Sequence, residues 1–181
     1  TAVGHYAMEM NTTGSSNTAV GAGALSFNET GTDNTAVGRR ALVTNETASF
    51  NTAIGRNALG SNTLGANNTA AGRNALFSNT SGSGNVAVGV GTLQLASAPG
   101  SSTAVGVSAL SEVTTGTDNI GIGFNAGLGL TTGSSNIYVG GLAGSASESS
   151  TIRIGSGQNA TYLAGISGAT ASGGIPVLIN G

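Results

Sequence analysis

Four of the five basic residues of this 181-residue chain, all of them arginines, lie between positions 39 and 73, and three of these four share a spacing. Arg39, Arg56 and Arg73 recur every 17 residues, with Arg40 beside the first. If 17 residues is one turn of a repeat, the guanidiniums stand ~5 Å apart and repel by roughly 0.8 kcal/mol per neighbouring pair even in bulk water. Such a ladder is solvated, paired across a chain interface with Glu29 and Glu46, which share a column of their own, or neutralised by an anion such as a phosphate or an acidic sugar. Arg39, Arg40, Arg56 and Arg73 are therefore the candidate anion or receptor contacts.

Catalytic chemistry has little to work with. The single histidine, His5, has only Glu9 among the acids near it in sequence, so a Ser-His-Asp arrangement has one starting point and no obvious acid. Three copies of His5 about a threefold axis could hold a metal or an anion, but an exposed residue of a terminal coil is the simpler reading. The acids Glu9, Glu29, Asp33, Glu46, Glu112, Asp118 and Glu148 are scattered, with neither a confined dyad nor the GGxGxDxUx pattern of calcium-binding rolls. No enzyme activity, metal or cofactor is expected. Phe27, Phe50, Phe77, Phe124 and Tyr138 occupy different columns and make no stacking platform for sugars. A rank of threonines (Thr1, Thr18, Thr35, Thr52, Thr69, Thr103) invites an ice-binding reading, weakened because the adjacent rank is Ala or Val. Asn28-Glu29-Thr30 and Asn45-Glu46-Thr47 fit a glycosylation acceptor, a match expected by chance in a repeat built from Asn and Thr.

Composition narrows the class. With 38% hydrophobic residues, 32 glycines and no Cys, Trp or Lys, only 7% of the chain is charged, against about 25% in an ordinary globular protein. The net charge of −2 leaves no electrostatic footprint for nucleic acid or an anionic membrane. No apolar run approaches the ~18 residues of a membrane span, so no membrane insertion is expected.

What positions these residues is a repeat. Asn17-Thr18-Ala19-Val20-Gly21 returns at Asn34, Asn51, Asn68, Asn85, Ser102, Asn119 and Asn136, and Thr1-Ala2-Val3-Gly4 is a copy lacking its first position, nine copies in strict 17-residue register. A fixed period without insertions reads as a solenoid, one coil per unit. Counting the Asn as position 0, position 4 is always glycine: Gly4, Gly21, Gly38, Gly55, Gly72, Gly89, Gly106, Gly123 and Gly140. A β-branched stretch closed by an obligatory glycine predicts a strand of about four residues and a turn that needs positive φ or has no room for a Cβ. Ala at position 7 and Leu at position 8, as in Ala24-Leu25, predict a second short strand. A turn cluster such as Phe27 to Asp33, rich in Asn, Thr, Gly and Asp, completes the coil. Asn at position 0, and at position 11 in Asn11, Asn28, Asn45, Asn62 and Asn79, should stack into amide ladders. So thin a coil encloses about one Val and one Leu or Ala. Thr18 and Val20 share one strand face and Ala19 the other, so both faces are small or apolar and self-association follows.

The segment Ser16-Asn17-Thr18-Ala19-Val20-Gly21 resembles the NSVAIG repeat of YadA-like trimeric autotransporter heads, with a longer coil. Asn34-Thr35-Ala36-Val37-Gly38 followed by Ala41-Leu42 is more similar to the repeat regions of phage and prophage tail-fibre proteins. There such repeats precede a segment like Thr151-Ile152-Arg153-Ile154-Gly155, then one like Ala160-Thr161-Tyr162-Leu163-Ala164-Gly165-Ile166, then a self-cleaving intramolecular chaperone. The resemblance implies a left-handed, homotrimeric parallel β-roll, extracellular or virion-associated, serving as a fibre segment that supports host-surface attachment. Its alternative is an adhesin head that binds a host-surface glycan or protein. The expected architecture is all-β: nine 17-residue coils over 1–150, then a terminal coil and Ser/Gly-rich connector over 151–181, with a short strand at Ile175 to Ile179. Because the chain starts inside a repeat, it reads as a fragment of something longer.

Overall fold

The Thr-Ala-Val triplet that opens each unit is extended, and stacking sets the triplets side by side. In the computed structural model, which describes residues 1–155, they form ten strands. These are β1 (Ala2–Val3), β2 (Thr18–Val20), β3 (Thr35–Val37), β4 (Thr52–Ile54), β5 (Thr69–Ala71), β6 (Val86–Val88), β7 (Thr103–Val105), β8 (Ile120–Ile122), β9 (Ile137–Val139) and β10 (Ile152–Ile154). All ten pair in parallel in one sheet, in chain order. Register is like on like: Ala19 faces Ala36, and Ala36 faces Ala53. The described residues contain no helix, and so none that could cross a membrane. The chain is an all-β parallel solenoid with a 17-residue coil. Ten strands ~4.8 Å apart make a rod about 43 Å long. The expected connector and the strand at Ile175 to Ile179 lie outside the described residues.

The Ala-Leu pair is not the second strand that its composition suggested. It lies in a run of tight turns, with left-handed backbone on either side of the alanine: φ is 57° at Arg40 and 49° at Leu42. Ala41 N–H donates to the Gly38 carbonyl (3.2 Å) and Asn45 N–H to the Leu42 carbonyl (3.2 Å). In a strand, adjacent residues point to opposite faces. Here both must enter the core, and the curl achieves it, since Ala41 and Leu42 are both fully buried. Left-handed backbone costs an L-residue roughly 1–2 kcal/mol, which burial of a leucine at about 1.5–3 kcal/mol offsets. The turns still bond from coil to coil, with Leu25 N–H donating to the Ala41 carbonyl and Leu42 N–H to the Ala58 carbonyl, both at 3.0 Å.

The core is a stack of Ala19-, Ala24- and Leu25-type residues, joined in the later coils by Ala96, Val113 and Leu130, but the strand valine expected in each coil is not part of it. A three-residue strand turns only its middle residue inward, and that residue is alanine. Val20 and its equivalents line the outside.

Both asparagine columns are buried and bonded along the stack, as their spacing implied. Nδ2 of Asn28, Asn45, Asn62 and Asn79 each donates to Oδ1 of the asparagine one coil earlier, at 2.7–3.0 Å. At position 0 the side chain caps the next coil's backbone: Asn34 N–H donates to Asn17 Oδ1 (2.9 Å) and Asn51 N–H to Asn34 Oδ1 (3.0 Å). Every described buried side-chain polar atom has a partner. The glycine column meets both expected demands. Gly55 has φ +126°, and a Cβ there would lie 2.7 Å from the carbonyl carbon and oxygen of Gly72.

The last coil is shorter, with Ile152 paired to Ile137. Tyr138 replaces the inward alanine and is fully buried. Gly127 is its counterpart, because a Cβ there would come 2.6 Å from Leu110 Cδ2 and 2.9 Å from the Tyr138 ring. The loss of the leucine column at this end is thus the room that the tyrosine occupies.

Candidate functional site

Two surfaces carry unspent chemistry. The first is the outer face of the sheet. Val3, Val20, Val37, Ile54, Val88, Val105, Ile122 and Ile154 repeat at position 3 and remain 37–58% exposed. They form a continuous aliphatic ridge along the rod, flanked by the threonine rank at position 1. That rank is broken by Val86, Ile120, Ile137 and Ile152.

The second surface adjoins it, beyond the glycine turn. Arg39, Arg56 and Arg73 stand in one exposed column on three successive coils. None has a carboxylate within 4.0 Å; among the described residues the one ion pair joins Arg153 to Glu148. Within the chain, therefore, Glu29 and Glu46 do not neutralise the ladder. Arg40 is exposed and lies one column on, where positive φ recurs in every coil from Tyr6 to Asn125. It lines a notch of about 170 Å³ together with Val43, Thr44, Asn57, Ser61 and Phe77, floored by Gly60. The structure thus brings Arg40 to a concave site and leaves Arg39, Arg56 and Arg73 as a rank outside it. Sequence reading had grouped the four. Its missed signal was position 9, where Gly60 interrupts side chains between Val43 and Phe77. A Cβ on Gly60 would come 3.1 Å from two Phe77 ring carbons, so the aromatic ring needs that glycine.

His5 is exposed and its ring lies against that of Tyr6, the centroids 3.6 Å apart. No cluster of metal-ligating side chains occurs among the described residues. Among the described residues, the one strongly perturbed group of acids and bases is in the last coil. The Tyr138 hydroxyl donates to Glu148 Oε1, and Arg153 Nη2 donates to Glu148 Oε2 at 2.7 Å. The Arg153 bond, then the tyrosine bond, holds the Glu148 carboxyl down to about 2. Burial, then the bond to Glu148, pushes the Tyr138 phenol above its ordinary range, and Glu148 in turn raises Arg153. This trio lies at the last coil of the described residues.

Fold and surfaces define a class, the parallel β-solenoid with an unpartnered outer sheet face. No family model, curated relative or solved structure matches the chain.

Proposed function

We propose that the chain is a structural segment of an extracellular homotrimeric fibre, in which three parallel rolls pack through their outer sheet faces. The observation that carries this reading is the aliphatic ridge at position 3, eight exposed Val and Ile residues in one file. Full burial of such a side chain is worth about 1.5–3 kcal/mol, so covering the remaining ~40% gives about 0.6–1.2 kcal/mol each, or about 5–10 kcal/mol per chain. A folded domain's whole stability is of that order, ~5–15 kcal/mol. Parallel chains keep equivalent coils in one layer, so identical columns meet without a register conflict. The number three, rather than two, comes from the resemblance to trimeric fibre repeats, as does the virion or cell-surface setting. The broken threonine rank weighs against an ice-binding plane.

Sedimentation equilibrium of the chain is the test. A species of three times the 17.3 kDa chain mass is expected at micromolar concentration. Val37→Asp with Val105→Asp should dissociate it. A folded, cooperative wild-type monomer would overturn the reading, while a folded dimer would remove only the trimer.

A further inference from the structure

The 17-residue spacing is strict but position 9 varies from coil to coil, and at one place that variation builds a cavity. Position 9 runs Ser26, Val43, Gly60, Phe77, Gln94 along the stack, and the gap at Gly60 leaves the notch beside the exposed Phe77 ring. Its walls divide by chemistry. Val43 and Phe77 are apolar, and Phe77 is 37% exposed. Opposite them the polar groups are partly spent. Thr44 Oγ1 donates to the carbonyls of Gly60 (2.9 Å) and Asn62 (3.2 Å), and Asn57 Nδ2 donates to Asn74 Oδ1 (3.1 Å). That leaves Asn57 Oδ1 as an acceptor, the Ser61 hydroxyl as donor and acceptor, and the whole Arg40 guanidinium as a planar, two-pronged donor. The rank of Arg39, Arg56 and Arg73 adds positive potential beside the opening, where no carboxylate answers it.

We propose that this notch binds a single acidic sugar unit of a surface glycan, of the uronate or sialate type. A pyranose has an apolar C–H face for the Phe77 ring, hydroxyls for Asn57 Oδ1 and Ser61, and a ring carboxylate that the Arg40 guanidinium meets with two parallel N–H bonds. Inorganic phosphate or a phosphate diester would use the arginine and leave the apolar wall uncovered. The notch is smaller than the ~300–1,000 Å³ that encloses a drug-sized ligand, which fits one monosaccharide unit of a longer chain. At roughly 0.3 kcal/mol per ligand atom, affinity for a free unit is on the order of a millimolar for a uronate and of tens of micromolar for the larger sialate. One chain supplies the entire site, so it does not depend on the trimer, although three copies on a fibre would raise avidity by linkage.

The test is saturation-transfer NMR and titration of the full chain with the methyl glycosides of glucuronic acid and N-acetylneuraminic acid. Methyl glucoside and inorganic phosphate are the controls. At least one acidic glycoside should bind, with at least tenfold preference over both controls. Arg40→Gln and Phe77→Ala should each weaken it at least tenfold with an unchanged melting temperature. Changing Arg39, Arg56 and Arg73 together to Gln should weaken it less than tenfold and steepen no other effect, since they lie outside the notch. If Phe77→Ala does not fold, Ser61→Ala and Arg40→Gln decide. Absence of binding by both acidic glycosides, equal binding of phosphate, or full binding by Arg40→Gln would overturn the proposal.

Discussion

Replacing Gly55 by valine tests the stacking geometry at its tightest point. The residue has φ +126°, and a Cβ there would lie 2.7 Å from both the carbonyl carbon and the oxygen of Gly72. Those atoms are backbone, locked in the ladder by the bond from Gly72 N–H to the Ile54 carbonyl at 2.7 Å, so no side chain can swing aside. Backbone strain alone costs of order 1–3 kcal/mol. Prying two coils apart adds the loss of two or three inter-coil hydrogen bonds, at about 0.5–1.5 kcal/mol each. A destabilisation of about 2–7.5 kcal/mol corresponds to a fall in melting temperature of roughly 4–30 °C for a chain of this size. Gly140→Val is the internal control. It shares the column and has φ +103°, but its nearest neighbour for a Cβ is 3.6 Å away, so only the strain should remain and the fall should be smaller. Thr32→Ala, losing one 3.3 Å hydroxyl contact to Ser49 Oγ, should change melting by a few degrees at most. Circular-dichroism melting of the three variants decides. Equal melting of Gly55→Val and Thr32→Ala would refute the glycine-turn argument, and equal falls for Gly55→Val and Gly140→Val would refute the part assigned to coil contact.

Asn62→Ala should destabilise by about 1.5–4.5 kcal/mol, since three hydrogen bonds of about 0.5–1.5 kcal/mol each are lost, two donated by Asn62 Nδ2 and one accepted by its Oδ1. Asn62→Asp should cost more, because a buried carboxylate would face the Gly65 carbonyl and Asn45 Oδ1; equal urea midpoints for the two would argue against the ladder. Glu148 has a carboxyl held down to about 2 in the folded chain against ~4.3 unfolded, so its stabilisation is full above ~4.3 and is lost as pH falls towards 2. The melting-temperature gap between wild type and Glu148→Gln should therefore be open at pH 6 and closed near pH 2. A gap independent of pH would show that the trio acts by packing alone.

The parts of the fold legible in the sequence were those that repeat and have one physical cause. Gly55 and its equivalents had to be glycine for reasons visible in the column, and the equal spacing of the Asn28-to-Asn79 file implied bonds along the stack, to which the structure adds a bond from each amide to a carbonyl of its own coil. The turn at Ala41-Leu42 was misread because leucine is not a residue that advertises left-handed backbone. The clue was one position before the alanine, where Gly23, Asn57, Asn74, Gly91 and Asn125 tolerate positive φ, beside Arg40, which adopts it. One valine was expected inside each coil, whereas the three-residue strand turns only its middle residue, Ala19 in β2, inward and leaves Val20 outside. The notch was not legible at all. Gly60 and Phe77 are neighbours only once coils are stacked, and they share position 9, a column whose residue changes from coil to coil, so a reading built on recurring columns passes across both.

The central claim is that the Val and Ile ridge joins parallel copies in register, and the chain's lack of cysteine makes this directly measurable. Val37→Cys and Val105→Cys variants would be mixed, unfolded, refolded together, oxidised under mild conditions and mapped by mass spectrometry of peptic fragments. The two positions are four coils, or about 19 Å, apart along the rod, beyond the ~7 Å that a disulfide tolerates between Cα atoms. Disulfides joining Cys at 37 to 37 and at 105 to 105, with none joining 37 to 105, are expected. Abundant 37-to-105 bridges, or no bridges in a folded protein, would contradict the claim.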